Sequence, residues 1–243
     1  MPKCLMVFLL WLMTAQSAFA ADRLKMLVPD YPPYSYKEYG RFSGVGYDAV
    51  AAIMADADID FTVQLVPHFG RALMAMRSNT ADGFFLATES KERNEVAVFS
   101  NPVMMANWSW VWLKNRTDLA PGSVQFKNTA AVSAQMNSNA YHWLQQQGFQ
   151  VTAGTNEISG LLNLLKYKRV DAILLPELTA KFVLEQQQSD LEQFNFQQEI
   201  SLPYAIYINK LYLQKHPEFM TKLNAAIARY HSQQVIPAAT QFH

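Results

Sequence analysis

The sequence predicts an α/β fold in two lobes of related architecture, each a mainly parallel sheet flanked by helices. Two observations carry this. Short apolar strands alternate with helical segments along the chain, which is the signature of an α/β layer. One such unit is also repeated. Leu73 to Leu86 overlies Leu162 to Leu175 without a gap, each with a helix of apolar spacing, a basic turn, an aspartate and a four-residue apolar strand. Asp82 and Asp171 take the same place in the two units, which argues for two lobes.

Taken in order, Leu24 to Val28 is a strand ended by Asp30-Tyr31-Pro32-Pro33-Tyr34. The prolines remove backbone donors and fix an extended turn. Tyr31 is then either an ordinary surface aromatic or a stiff stacking wall for a ligand. Gly40 to Gly46 reads as a loop, Tyr47 to Asp56 as a helix, Phe61 to Val66 as a strand, Pro67 to Gly70 as a loop and Arg71 to Arg77 as a helix. Gly83 to Leu86 is a strand buried on both faces.

Asp82 to Ser100 runs from that strand through a hydroxyl-bearing turn into a brief charged helix with Arg93 in its first turn. A cation there opposes the helix dipole and is better tolerated facing an anion. Alone, Ser-Lys-Glu-Arg-Asn-Glu reads as a solvated charged turn before it reads as an anion site.

Met104 to Lys114 places Trp108, Trp110 and Trp112 at period two, on one face of a strand. They are core or inter-lobe packing, or one of them edges a cleft. The second set follows. Ala130 to Ser133 is a strand, and Asn137 or Ser138 caps a helix around Ala140 to Gln147. Gln150 to Thr152 and Ala172 to Leu175 are strands, and Ile158 to Leu165 and Leu178 to Gln188 are helices. Ala205 to Ile208 is a strand, and Pro217 to Gln234 is an amphipathic helix. In open α/β sheets ligands collect beyond the carboxyl ends of the strands. Those ends are Ala87-Thr88 and Pro176-Glu177, and if they face one another they make a cleft.

With 20 basic and 20 acidic residues the net charge is zero, and no basic stripe suggests nucleic acid as a partner. Lys3, the apolar run Leu5 to Met13 and Ala18-Phe19-Ala20 form a secretory signal pattern with cleavage after Ala20. A membrane anchor would need a longer apolar run. The expectation is an exported soluble protein, periplasmic in a Gram-negative source, and a monomer. The only cysteine, Cys4, lies within the leader, so the mature chain has no disulfide and no thiolate nucleophile. His68, His142, His216, His231 and His243 are dispersed and suggest no metal site, and no cofactor motif occurs. Glu177 and His68 are the only acid–base candidates near the expected cleft.

Tyr31-Pro32-Pro33-Tyr34, then Phe42-Ser43-Gly44-Val45-Gly46-Tyr47-Asp48, then Asp82, Thr88, Ser90, Arg93, Phe99 and Ser100 at their spacing resemble the polar amino-acid type of bacterial extracellular solute-binding protein family 3. The resemblance covers nearly all of the mature chain. It implies a type II periplasmic-binding-protein fold whose lobes are joined by two hinge strands, with 21–105 and 206–243 as one lobe and 106–205 as the other. It implies that Arg93 clamps a ligand carboxylate, that Thr88 and Ser90 supply hydroxyls (Ser90 for a threonine of relatives), and that Tyr31 and Phe69 sandwich the ligand. Gln135-Met136-Asn137, with Ser138 following, stand where relatives carry G-[ST]-[ST]. Pro176 stands where relatives hold the ligand ammonium with an aspartate, leaving Glu177 one place along as the candidate. The implied function is capture of an amino acid or related carboxylate for an ABC-type permease, without catalysis. The alternatives are a receptor for a membrane signalling partner, and an enzyme on the same scaffold, as the cyclohexadienyl dehydratases are.

Overall fold

The computed structural model describes residues 23–136, 138–152 and 154–234. The leader read in residues 1–20, its cleavage point and Asn137 lie outside the described residues.

The chain begins with β1 (Leu24–Pro29), a hairpin of β2 (Tyr36–Glu38) and β3 (Arg41–Ser43), and α1 (Val45–Asp56). It continues through β4 (Phe61–Val66), α2 (Phe69–Arg77), β5 (Gly83–Ala87), α3 (Lys91–Asn94) and β6 (Ala97–Phe99). The long strand β7 (Met104–Leu113) leads to α4 (Val124–Thr129), β8 (Ala131–Ser133), α5 (Asn139–Gln147), β9 (Gln150–Val151), α6 (Ile158–Lys166), β10 (Ala172–Pro176) and α7 (Glu177–Gln186). A second long strand, β11 (Phe194–Asn209), returns to α8 (Lys210–Lys215) and α9 (Phe219–Gln234).

The strands lie in the order β4-β1-β5-β11-β7-β10-β8-β9, with β6 also on β11. Both flanks are parallel, β4-β1-β5 on one side and β10-β8-β9 on the other. All five residues of β5 and all five of β10 are buried, as apolar runs covered on both faces by helices should be. Between the flanks, β11 pairs antiparallel with β7 from Phe194↔Leu113 to Tyr204↔Met104, then with β5 and β6 over its last residues. These two long strands carry the chain from one half to the other.

Only the last residues of β11 are legible as a strand in the sequence. From Phe194 to Pro203 the run mixes Asn, Gln, Gln, Glu and Ser with apolar residues, and its side chains are mostly half-buried or exposed. Main-chain pairing to β7 holds this stretch, which alternation of hydrophobicity does not report. The β2–β3 hairpin forms within and beside the segment read as a glycine loop, and α7 starts one residue before its expected position.

The repeat is visible in the hydrogen bonding. Asp82 Oδ2 accepts Lys25 N at 2.8 Å, and Asp171 Oδ2 accepts Ala131 N at 2.8 Å. Each aspartate thus ties the start of the neighbouring parallel strand, β1 or β8, to the strand it precedes. The three indoles of β7 are all buried. Trp110 packs between Phe126 and Phe149, with centroids at 5.0 and 5.2 Å, and its Nε1 donates to Glu199 Oε2 at 2.8 Å.

Candidate functional site

The carboxyl ends of β5 and β10 meet around a small cavity. On the β5 side the backbone is bent to reach it. Leu86 is buried with φ at 63°, a left-handed conformation that is strained for a branched side chain. A register shift in β11 lies opposite, between Ala205 and Ile206. The Leu86 side chain covers Gly46, where an added Cβ would stand 2.5 Å from Leu86 Cδ2 and would have to displace it.

After the bend, Ser90 caps α3 by accepting Arg93 N at 3.4 Å, while Ser90 N donates to the Tyr207 hydroxyl at 3.1 Å. Tyr207 donates in turn to Asn94 Oδ1 at 2.9 Å. The short helix is therefore pinned at both ends, and it directs the Arg93 side chain inward. Arg93 is only 5% exposed. Its Nη1 donates to Thr88 O at 2.6 Å and reaches Thr88 Oγ1 at 3.5 Å. The guanidinium carbon lies 5.0 Å over the Phe69 ring and 5.9 Å over Phe84. Among the described residues no carboxylate forms an ion pair with it. Burial pulls the Arg93 pKa down, against smaller upward effects of Tyr207, Tyr204 and Glu92, yet a guanidinium stays protonated.

An aromatic wall completes this side. Tyr31 stacks on Tyr34 with centroids at 6.2 Å and meets Phe69 at 6.2 Å. Tyr34 packs on Tyr204 at 5.2 Å. Burial, with Glu177 adding to it, pushes the Tyr34 hydroxyl up to about 12, and burial raises Tyr31 and Tyr204 as well. All three stay neutral at physiological pH. Trp108 also lines the cavity. Its Nε1 is buried beside the Tyr204 hydroxyl, without a hydrogen bond of normal geometry.

From the other half come Ser138, which caps α5 by accepting Tyr141 N at 3.1 Å, and Asn139, whose Nδ2 donates to Thr88 Oγ1. Gln135 donates through Nε2 to Asn156 O at 2.8 Å. Leu174, Leu175 and Pro176 form the facing wall. The enclosed volume is about 30 Å³, room for about one water, so the two halves are pressed together.

Residues 25–240 match one sequence profile, that of the bacterial extracellular solute-binding proteins, family 3. The chain belongs to this family. The GluR0 ligand-binding core in complex with L-glutamate is 19% identical, with a TM-score of 0.74 over 89% of this chain and 95% of that one. An ancestral arginine-binding protein bound to arginine is 22% identical, with a TM-score of 0.70 over 87% and 93%. The arginine-, lysine-, histidine-binding protein ArtJ from Geobacillus stearothermophilus is 15% identical, with a TM-score of 0.68 over 87% and 90%. At these identities the likeness is one of fold. The comparison with curated proteins returns no match. The family is one of binding proteins, not of enzymes.

In this family 3 solute-binding protein, Tyr31, Phe69, Thr88, Arg93 and Ser138 come together around the cavity. Ser90 does not line it; its side chain caps α3 and borders an outer groove of about 600 Å³ shared with Thr88, Trp108 and Asn139. Glu177 does not line it either. Its Oε1 accepts Lys181 Nζ at 2.5 Å and its Oε2 accepts Ser109 Oγ at 2.9 Å. The Lys181 bond, with Ser109 helping and burial opposing, holds the carboxyl below its ordinary value. His68 Nδ1 caps α2 by accepting Arg71 N at 3.2 Å. Among the described residues no group of three His, Cys, Asp or Glu is placed to hold a metal. Gln135 lines the cavity from the segment aligned with G-[ST]-[ST], whereas Trp108, Asn139 and Tyr204 are lining residues that the motifs did not single out. Only Trp108 carried a signal, its place in a period-two aromatic face.

Proposed function

We propose that this protein is an exported receptor that captures a small carboxylate between its two halves and presents it to an ABC-type permease. Residues 21–105 with 206–243 form one lobe, 106–205 form the other, and β7 with β11 are the hinge. The observation that carries this reading is Arg93, a buried guanidinium with two backing contacts from Thr88 and, among the described residues, no ion pair. An unpaired buried charge costs several kcal/mol, and an anion that meets it offsets that cost. A guanidinium meets a carboxylate with two parallel charge-assisted bonds, which lysine does not reproduce. Proteins of similar fold hold L-glutamate and arginine, both carboxylates, which supports the ligand class. With about 30 Å³ enclosed, entry requires the halves to part, a hinge motion of the two strands. Cleavage after Ala20 delivers the mature chain to the periplasm.

The test is a thermal-shift screen of small carboxylates, followed by X-ray scattering with any that bind. A ligand at a hundred times its dissociation constant adds about 2.7 kcal/mol of stability. A raised melting temperature with compaction relative to an open ligand-free form is the expected result. If uncharged isosteres protect as well as their acids, the reading is wrong.

A further inference from the structure

The charges around the cavity do not balance. Arg93 is the only charged side chain among the described lining residues. The nearest acids along the chain are turned elsewhere. Glu177, beside the lining Pro176, is taken by Lys181 and Ser109. Asp30, beside Tyr31, does not line the cavity itself but an adjoining pocket with His68 and Met136 that shares Tyr31, Phe69, Gln135 and Ser138 with it. Glu89, beside Thr88, accepts Asn94 Nδ2 at 2.8 Å and borders the outer groove.

The lining also carries several donors, beside the acceptor oxygens of Gln135, Asn139, Tyr31 and Tyr204. Arg93 is a donor only. Trp108 buries a donor, Nε1, with no acceptor in normal geometry. Asn139 presents its amide N–H to the Thr88 hydroxyl. Opposite Arg93, Leu174, Leu175 and Pro176 offer no side-chain acceptor at all. One lone pair of the Ser138 hydroxyl is taken by Tyr141 N.

We propose that the ligand is a carboxylate without an α-ammonium group, such as a 2-oxo acid, and not an amino acid. This rests on Arg93 holding the carboxylate. A bound amino acid is a zwitterion, so its carboxylate would offset Arg93 while its ammonium was buried a few ångströms away without a counter-ion. That ammonium has three donors and loses three water acceptors, and like charges in a dry site repel strongly. The Phe69 face is already occupied by the guanidinium, and the other aromatic faces carry no formal charge to serve as a counter-ion. An oxo or hydroxyl oxygen at the α-carbon instead carries no charge and needs no counter-ion there.

The test is calorimetric titration of the mature chain with matched pairs: pyruvate and L-alanine, 4-methyl-2-oxopentanoate and L-leucine, phenylpyruvate and L-phenylalanine, 2-oxoglutarate and L-glutamate. In any pair that binds, the oxo acid is expected to bind at least about tenfold tighter. An amino acid binding equally or more tightly overturns this inference while leaving the Arg93 reading intact. No binding by any acid or amino acid removes the Arg93 reading and this inference with it. A second arm uses Pro176→Asp, which puts a carboxylate at a lining position that is also the residue before α7, where aspartate is a favoured cap. It is expected to shift the amino-acid to oxo-acid ratio by about tenfold toward the amino acid. A folded variant with an unchanged ratio contradicts the claim that the missing anion sets the preference.

Discussion

Asn139, at the start of α5, donates its amide N–H to the hydroxyl of Thr88, just past the end of β5. The two halves are thus joined side chain to side chain across the cavity. The same Thr88 hydroxyl is the one Arg93 Nη1 reaches. A ligand carboxylate at Arg93 therefore arrives at the hydroxyl that the opposite half already uses.

The Asn139–Thr88 bond favours the closed arrangement in the absence of ligand. One such bond contributes about 1 kcal/mol net, roughly fivefold in the ratio of closed to open forms. Asn139→Ala should raise the ligand-free radius of gyration in X-ray scattering. A scattering curve identical to wild type would mean that the bond does not hold the halves together.

Glu177→Gln is expected to leave ligand affinity within about threefold of wild type, because Glu177 faces Ser109 and Lys181 and not the cavity. Its effect is on stability and depends on pH. The folded carboxyl titrates below its ordinary 4.5. Its contribution is present above the unfolded value and disappears as pH falls through the folded one. For a solvent-screened pair four residues apart on one helix this is about 0.5 kcal/mol. Urea melts at pH 7 and pH 3 should show the wild-type advantage at the higher pH only.

Asp82 and Asp171 make the same bond to the start of a neighbouring strand, so each should matter to its own half. Asp82→Ala and Asp171→Ala are each expected to lose about 1.5–3 kcal/mol, the range for hydrogen bonds to charged groups. Asp171→Ala should lose more, since Asp171 also accepts Arg116 Nη1 at 2.5 Å. Denaturant midpoints unchanged by both variants would leave the repeat a pattern without structural consequence.

Most of the architecture was legible because buried parallel strands write themselves as apolar runs, as β5 and β10 do, and because the aspartate before each run marks the repeat. The first half of β11 was hidden, since it is held by backbone pairing and not by burial of one face. The Arg93 side of the site was legible because a short capped helix after a strand fixes one side chain locally. The opposite side depends on tertiary approach, which put Asn139 on Thr88 and Trp108 beside Tyr204. The orientation of Glu177 had a readable cue in Lys181 four residues on, the spacing of a helical ion pair.

The central claim is that Arg93 holds the ligand carboxylate. Its most direct test is calorimetric titration of wild type and Arg93→Ala with pyruvate, 4-methyl-2-oxopentanoate, phenylpyruvate and 2-oxoglutarate, with circular dichroism to verify the fold. For an acid that wild type binds, Arg93→Ala should weaken binding by about a hundredfold or more, since losing one partner of a buried charged pair costs 2–5 kcal/mol. A folded Arg93→Ala protein that binds the same acid with the wild-type dissociation constant would contradict the account.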